Sequence, residues 1–197
     1  MNSWTSRLEA LLDRERRVIL GITGPPGAGK TAMASVIASS FDDVVQLPMD
    51  GFHLAEVELQ RLGRRDRKGA IDTFDAYGYL ALLQRVRSST ETVYAPAFDR
   101  RIEEPVAGSI PVSPNARLIV TEGNYLLDDD EPWPQVRRVL DEVWFVDVAP
   151  DERRRRLVAR HIEFGKSPEQ AQDWVRDVDD RNAERVERVR HKADLVI

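Results

Sequence analysis

The stretch RVILGITGPPGAGKT occupies residues 17–31 and joins a short apolar run to a glycine-rich turn that ends in Lys30-Thr31. The apolar run, residues 17–23, is typical of a strand buried on both faces of a parallel sheet. Residues 24–31 fit the pattern G-x-x-x-x-G-K-[ST], in which glycines let backbone amides fold around phosphate groups. A helix is predicted from the turn to about residue 40, with its positive end directed at the anion. The stretch therefore predicts a strand, a phosphate-binding loop and a helix in succession.

The loop and the first helical residues form the predicted nucleotide-phosphate site. Its members are Gly24, Pro25, Pro26, Gly27, Ala28, Gly29, Lys30, Thr31 and Ala32. We expect Lys30 to reach the outer phosphates and the Thr31 hydroxyl to ligate magnesium. The alternative is a glycine turn followed by an accidental Lys-Thr pair, which the position between a buried strand and a helix disfavours.

Strand and helix patterns alternate along most of the chain. Helices are predicted over residues 3–15, from the loop to about 40, and over 75–88, 150–164 and 168–191. Strands are predicted over 17–23, 44–47, 118–122, 143–147 and 194–197. This alternation favours an α/β fold, a three-layer α/β/α sandwich of the P-loop NTPase type with a mostly parallel five-stranded sheet. We predict one domain over residues 1–197, with a small inserted hairpin over 92–113 that turns at Ala107-Gly108.

Composition and charge exclude several classes of protein. The 197 residues include no cysteine, which excludes a disulfide framework, a thiol nucleophile and a cysteine-based metal site. No apolar run reaches the length of a membrane-spanning helix, and the first residues lack the apolar core of a secretory signal. The net charge of −5 argues against bulk nucleic-acid binding. We therefore expect a soluble cytoplasmic protein that binds neither nucleic acid nor membrane.

Two acidic residues end predicted strands, at the edge where parallel sheets bind ligands. Asp50 follows the second strand and could accept a hydroxyl proton during attack on a γ-phosphate, or could simply form an Asp-Gly turn. Glu122 ends the strand 118–122, the position of an acid that holds magnesium directly or through water. An ordinary loop or helix-capping acid is the alternative for Glu122.

Basic and aromatic residues supply further candidates. Arg153, Arg156 and Arg160 share a helical face that could neutralise a transferring phosphoryl group, or could be solvated and paired with acids. The basic patch 61–68 is interpreted as a solvated loop in preference to a contact with a phosphate or an acidic substrate. His53 could hydrogen-bond a substrate or be a buried structural residue. Three tryptophans are predicted to be core or packing residues: Trp133, Trp144 and Trp174.

Guanine-nucleotide hydrolysis is disfavoured. The chain has no N-K-x-D element for guanine recognition. Asp75 and Gly78 fit D-x-x-G, but they open a predicted helix and do not follow a strand. We interpret this match as a coincidence.

Several further motifs occur in a recognisable order. They are Met49-Asp50-Gly51-Phe52-His53, Lys68-Gly69-Ala70 with Thr73-Phe74-Asp75, Pro96-Ala97-Phe98-Asp99-Arg100, Glu122-Gly123-Asn124-Tyr125-Leu126-Leu127 and Arg156-Leu157-Val158-Ala159-Arg160-His161. With the loop at 24–31, they cover nearly the whole chain. On these motifs the sequence resembles the phosphoribulokinase/uridine kinase/pantothenate kinase family of P-loop small-molecule kinases. It looks nearest to the nucleoside/nucleotide kinase-like, or "putative fructose transport system kinase", branch.

The resemblance implies an ATP- and Mg²⁺-dependent kinase that phosphorylates a hydroxyl of a small molecule such as a sugar, a nucleoside or pantothenate. It implies that Asp50 is the catalytic base and Glu122, with Thr31, a metal ligand. Lys30, Arg156 and Arg160 would also be catalytic, the two arginines within a helical lid over residues 150–166. The residues that it places near the acceptor are His53, Phe98, Arg100, Asn124 and Tyr125. In relatives a segment beyond the last strand often helps to enclose adenine, and this sequence departs from that pattern by ending at Ile197.

Two alternative functions stay open at this point. The first is an ATP-binding regulator with slow hydrolysis, whose acidic stretch 128–131 would dock a partner. The second is a nucleoside monophosphate kinase, in which Arg64, Arg65 and Arg100 would hold the acceptor phosphate. A homodimer is also left open, because the sequence carries no interface signature.

Overall fold

The computed structural model describes residues 3–14 and 16–197, so the predicted helical residue Glu15 lies outside the described residues. The helices are α1 Ser3–Leu12, α2 Lys30–Ser40, α3 Glu56–Arg61, α4 Ala76–Ser88, α5 Trp133–Val139, α6 Pro150–Glu163, α7 Pro168–Trp174 and α8 Asp180–Arg188. The strands are β1 Val18–Thr23, β2 Val44–Pro48, β3 Val93–Asp99, β4 Glu104–Val112, β5 Leu118–Glu122, β6 Glu142–Phe145 and β7 Leu195–Val196. Each of these described helices falls short of what crossing a lipid bilayer requires in length and apolar character.

Five strands form one parallel sheet in the order β2-β5-β1-β6-β7. β1 and β5 are buried along their whole length, as their continuous apolar sequences predict for central strands. Because all five strands run in the same direction, their carboxyl ends meet at one edge of the sheet. The predicted five-stranded sheet is confirmed.

Helices cover both faces of the sheet. Alternate β1 side chains face opposite layers: Leu20 lies in a core with α1 and α2, and Ile19 in a core with α4, α5 and α8. Trp144 and Trp133 are fully buried in these two cores, as predicted. The predicted three-layer sandwich is therefore confirmed.

The inserted segment is an antiparallel hairpin of β3 and β4, but its turn was wrongly predicted. The chain reverses at residues 100–103, where Glu103 has φ 56°. Ala107-Gly108 instead lies in a bulge, where the register shifts between Ala95 and Ala97 and Gly108 has φ 71°. A bulge and a tight turn both favour glycine at positive φ, so the sequence does not distinguish them.

The carboxyl-terminal helices differ from prediction in detail. The predicted helix 168–191 consists of α7, a π-helical turn at Val175–Asp179, and α8, and it ends at Arg188. Two helices, α3 and α5, were not predicted. With six and seven residues, they are too short to display a helical apolar period.

Candidate active site

The phosphate-binding loop connects β1 to α2 and needs glycine at two close contacts. Gly24 has φ 146°, and a Cβ there would lie 2.7 Å from the Val146 carbonyl oxygen. Gly27 has φ 79°, and a Cβ there would lie 2.8 Å from Cγ of Leu157 on α6. The loop is therefore held between the end of β6 and α6, in a left-handed geometry that presents main-chain amides to an anion.

Lys30 opens α2 and is buried beneath the loop. Its Nζ donates hydrogen bonds to the carbonyl oxygens of Gly24 and Pro25, each at 3.0 Å. Burial lowers the pKa of Lys30 to about 8, an effect that the nearby carboxylates of Glu122 and Asp50 partly oppose. Two backbone carbonyl oxygens thus hold the ammonium group, and a bound phosphate would replace them as its partners.

Thr31 and Glu122 meet at the carboxyl end of the sheet. The Thr31 hydroxyl donates to Oε1 of Glu122 at 2.9 Å, and Glu122 is 8% exposed. Burial raises the pKa of Glu122, the charge of Asp50 adds to this effect, and Lys30 opposes it. In the register of the sheet, Glu122 lies between Ile22 of β1 and Pro48 of β2.

These two side chains fit a magnesium ion that arrives with a nucleotide. A hydroxyl and a carboxylate are hard oxygen ligands, and a buried carboxylate favours a cation beside it. No group of three or more His, Cys, Asp or Glu among residues 3–14 and 16–197 could hold a metal ion by itself. Phosphate and water oxygens would therefore complete the coordination, as is usual for Mg²⁺.

Asp50 lies in the short helical turn Met49–Phe52 that follows β2. Its Oδ2 accepts a hydrogen bond from Arg100 at 3.1 Å, and its side chain is one-third exposed. The hairpin packs closely against this turn, because a Cβ on Gly51 would overlap the Pro96 carbonyl oxygen. The hairpin therefore positions Arg100 against Asp50.

Aromatic rings surround His53. Its ring centroid lies 4.1 Å from that of Phe74 and 4.9 Å from that of Phe98. Its Nδ1 lies 2.8 Å from the Asp50 carbonyl oxygen, and burial lowers the pKa of His53. His53 therefore combines the two interpretations that the sequence left open, since it is part of the packing and also lines the cavity.

Tyr125 lies behind the cavity wall. Its side chain is 1% exposed, its ring packs against Phe74 and Trp133, and its hydroxyl donates to the Gly69 carbonyl oxygen at 2.6 Å. Asn124, the residue before it, does line the cavity. The structure therefore separates two neighbours that were predicted together at the acceptor.

The arginines of α6 divide into two groups. Arg156 and Arg160 line the cavity, and Arg156 contacts the Ala28 carbonyl oxygen of the loop at 3.4 Å. Arg153 is buried and pairs with Asp180 at the start of α8. Of the three arginines predicted to share one face of the helix, only Arg156 and Arg160 thus line the cavity.

Several cavity residues were not singled out from the sequence. Trp174, predicted as a core or packing residue, is half-buried and lines the cavity, where Lys166 Nζ lies 4.6 Å from its ring centroid. His161 pairs with Asp179 of the π-helical turn at 2.8 Å, and both line the same wall. A π-helical turn re-aims side chains in a way that helical periodicity does not reveal.

The residues of the basic patch 61–68 lie in two different environments. Arg65, Asp66 and Lys68 line the cavity, contrary to the predicted solvated loop. Its other basic residues are held by acids outside the cavity: Arg61 by Glu58, and Arg64 and Arg67 by Asp72.

One cavity of about 840 Å³ brings the predicted residues together. Its volume is typical of a site for a small ligand or cofactor. It is lined by Pro26, Gly27, Gly29, Lys30 and Thr31 of the loop and α2, by Glu122 and Asn124 at the end of β5, by Arg156 and Arg160 of α6, by Asp50 and His53 after β2, and by Phe98 and Arg100 of the hairpin. A phosphate-binding end and an aromatic, polar end therefore share one space.

Comparison with known proteins places the chain among kinases. It is 33% identical over 171 residues to "Putative uridine kinase C227.14" of Schizosaccharomyces pombe, which covers 81% of this chain and 73% of that protein. It is 40% identical over 131 residues to "ATP-dependent kinase-like protein notR'" of Aspergillus versicolor, which covers 62% of this chain and 76% of that protein.

A solved structure has the same fold as this chain over its whole length. The "putative fructose transport system kinase" from Silicibacter sp. TM1040 superposes with a TM-score of 0.90 at 30% identity, covering 100% of both chains. No family model matches the sequence. With the loop, the parallel sheet and these relatives together, the chain belongs to the uridine kinase-like family of P-loop kinases.

Proposed function

We propose that this protein transfers the γ-phosphoryl group of ATP to a hydroxyl group of a small metabolite, with Mg²⁺. The observation that carries the proposal is that Lys30, Thr31 and Asp50 line the same cavity. Because one cavity can hold the phosphoryl donor and the acceptor together, the group can pass directly from one bound substrate to the other. Catalysis of such a transfer rests on positioning and electrostatic stabilisation.

The loop end is suited to the triphosphate. Main-chain amides of residues 24–31 would hold the phosphate oxygens, and Lys30 would exchange its carbonyl partners for them. Arg156 and Arg160 would neutralise charge on the transferring group from the α6 side. Thr31 and Glu122 would hold Mg²⁺, which when bound supplies charge neutralisation at the phosphates.

The opposite end is suited to the acceptor. The acceptor hydroxyl oxygen forms a bond to the γ-phosphorus while the bond from that phosphorus to the bridging β–γ oxygen breaks, and ADP leaves. Asp50 accepts the hydroxyl proton on a carboxylate oxygen. Arg100, which donates to Oδ2 in this structure, positions that carboxylate before the acceptor binds.

The regulatory alternative has less support. The acidic stretch 128–131, which would dock a partner, is largely engaged within the chain. Asp128 and Asp130 pair with Arg185, and Asp129 pairs with Lys192. These contacts attach the stretch to α8 and to the turn after it, and give it a structural role.

A screen for acceptors tests the proposal. ADP release is followed with ATP and Mg²⁺ across sugars, nucleosides and vitamins, and phosphorylated products are identified by mass spectrometry. We expect at least one acceptor to yield product in step with ADP, and Lys30→Ala to abolish both signals. Arg61→Gln, a basic residue outside the cavity, serves as the matched control and should leave them unchanged. ADP release that no acceptor accelerates would contradict the proposal.

A further inference from the structure

Two cations lie close to one aromatic ring of the cavity. Lys68 Nζ lies 5.3 Å and Arg100 Cζ lies 5.7 Å from the Phe98 ring centroid. All three residues line the cavity. They come from two separate segments, the loop after α3 and the hairpin, so tertiary packing assembles the group.

Lys68 differs from its basic neighbours in its partners. Arg61, Arg64, Arg65 and Arg67 each pair with a carboxylate. The Lys68 ammonium donates to the neutral Glu103 carbonyl oxygen at 2.6 Å, and no carboxylate among residues 3–14 and 16–197 lies within salt-bridge distance of it. Its charge is therefore available to a ligand.

Arg100 is only partly engaged. One of its nitrogens binds one oxygen of Asp50 at 3.1 Å, whereas a guanidinium group can bind a carboxylate or phosphate through two parallel hydrogen bonds. Exchange of this single contact for a bidentate contact to a ligand would be favourable. It would also release Oδ2 of Asp50.

The surrounding charges are consistent with an anion at this place. Burial is the main cause that lowers the pKa of His53; Asp50 opposes it, and Lys68 and Arg100 lower that pKa further, which places both positive charges close to the same ring. Glu56 also lines the cavity but is paired with Arg65. Asp66 and Glu103 line it as exposed residues, where solvent screens their charge.

We propose that the acceptor carries an anionic group, a carboxylate or a phosphate, which binds between Lys68 and Arg100 beside Phe98. This inference rests on the proposed kinase function and names the class of its acceptor. The anion draws Arg100 from Asp50, so that the carboxylate becomes free when the acceptor hydroxyl is in place. Phosphoryl transfer would thus depend on the charged end of the acceptor.

Matched pairs of compounds test this charge requirement. Each pair shares a skeleton and differs in charge: glycerol and D-glycerate, pantothenol and pantothenate, ribose and ribose 5-phosphate, and uridine and uridine 5′-monophosphate. Binding is measured by calorimetry in the presence of a non-hydrolysable ATP analogue, and turnover by ADP release. The first two pairs report on a carboxylate and the last two on a phosphate.

We expect a charged member to bind at least tenfold more tightly than its neutral partner, as for a charge-assisted hydrogen bond. Lys68→Gln should remove about tenfold of that preference, Lys68→Arg should keep most of it, and affinity for the ATP analogue should not change. Arg61→Gln, in the same basic patch but outside the cavity, should behave as the wild type.

Three results would overturn the inference: neutral members that bind as tightly as their charged partners, a preference that survives Lys68→Gln, or no binding by any charged member. Failure of the kinase function itself looks different. In that case ADP release responds to no acceptor, while calorimetry still reports whether anions bind at Lys68.

Discussion

Replacement of Asp50 by Asn tests the assignment of the base most directly. The amide keeps the size of the side chain but does not take up a proton at neutral pH. Asp50 and Arg100 have side-chain exposures of 33% and 44%, so loss of their ion pair should cost less than about 1 kcal/mol of folding stability. A large loss of activity in this variant would therefore not be a loss of fold.

The expected catalytic effect is much larger. A positioned general base contributes about 10²- to 10⁴-fold to rate, which corresponds to about 3 to 5 kcal/mol of barrier. The charge of Asp50 also raises the pKa of Lys30 and of Glu122, so its removal lowers both values. Lys30 starts from a pKa of about 8. At pH 6.5 it should stay largely protonated, and nucleotide affinity should change little.

The assay separates these two effects at pH 6.5. Turnover is measured by ADP release with an acceptor from the screen, and nucleotide affinity by titration with a fluorescent ATP analogue. Asp173→Asn, an exposed aspartate paired with Arg176, is the matched control. We expect Asp50→Asn to lose at least a hundredfold in kcat with nearly unchanged nucleotide affinity. A kcat within tenfold of the wild type would refute the assignment, and a parallel loss of affinity would place Asp50 at the nucleotide instead.

Three further predictions follow from other contacts. ATP affinity should fall as pH rises from 8 to 10, because Lys30 has a pKa of about 8 and its neutral amine attracts phosphate poorly; calorimetry that finds no dependence would contradict this. Asp75→Ala should cost about 1 kcal/mol in urea unfolding, since its side chain caps α4 at Gly78 N. It should leave the ratio of ATP affinity to GTP affinity unchanged, and a changed ratio would restore D-x-x-G as a nucleotide motif. Arg185→Gln should cost about 2 to 4 kcal/mol by leaving the buried Asp128 carboxylate without its cation, and adding Asp128→Asn should recover part of that loss; full stability in the single variant would argue against the pairing.

The sheet and the phosphate-binding loop were predictable because their signals are local. A strand buried on both faces has to be apolar at nearly every position, as residues 18–22 are. A loop that folds tightly around an anion needs glycine at positive φ, and Gly24, Gly27 and Gly29 meet that need. Asp50 and Glu122 could be proposed because parallel strands bring their carboxyl ends to one edge.

The hairpin turn and the short helices were not predictable by the same means. Glycine is as well suited to a bulge as to a turn, so the presence of Gly108 does not show which of the two forms. The six residues of α3 span less than two helical turns, and amphipathic spacing does not become visible over that length. Packing against the rest of the chain selects these elements.

Sequence alone determined that this chain folds around a phosphate-binding loop on a parallel sheet, since strand burial and glycine geometry are properties of consecutive residues. Only the tertiary structure decided which charges face the cavity. Arg61 and Lys68 belong to one basic patch, yet one meets a glutamate and the other meets Phe98. Arg153 and Arg156 share a helix, yet one is buried against Asp180 and the other lines the cavity. The physical reason is that side chains interact through space, and the neighbours of Lys68 and Arg153 belong to distant segments that spacing along the chain does not encode.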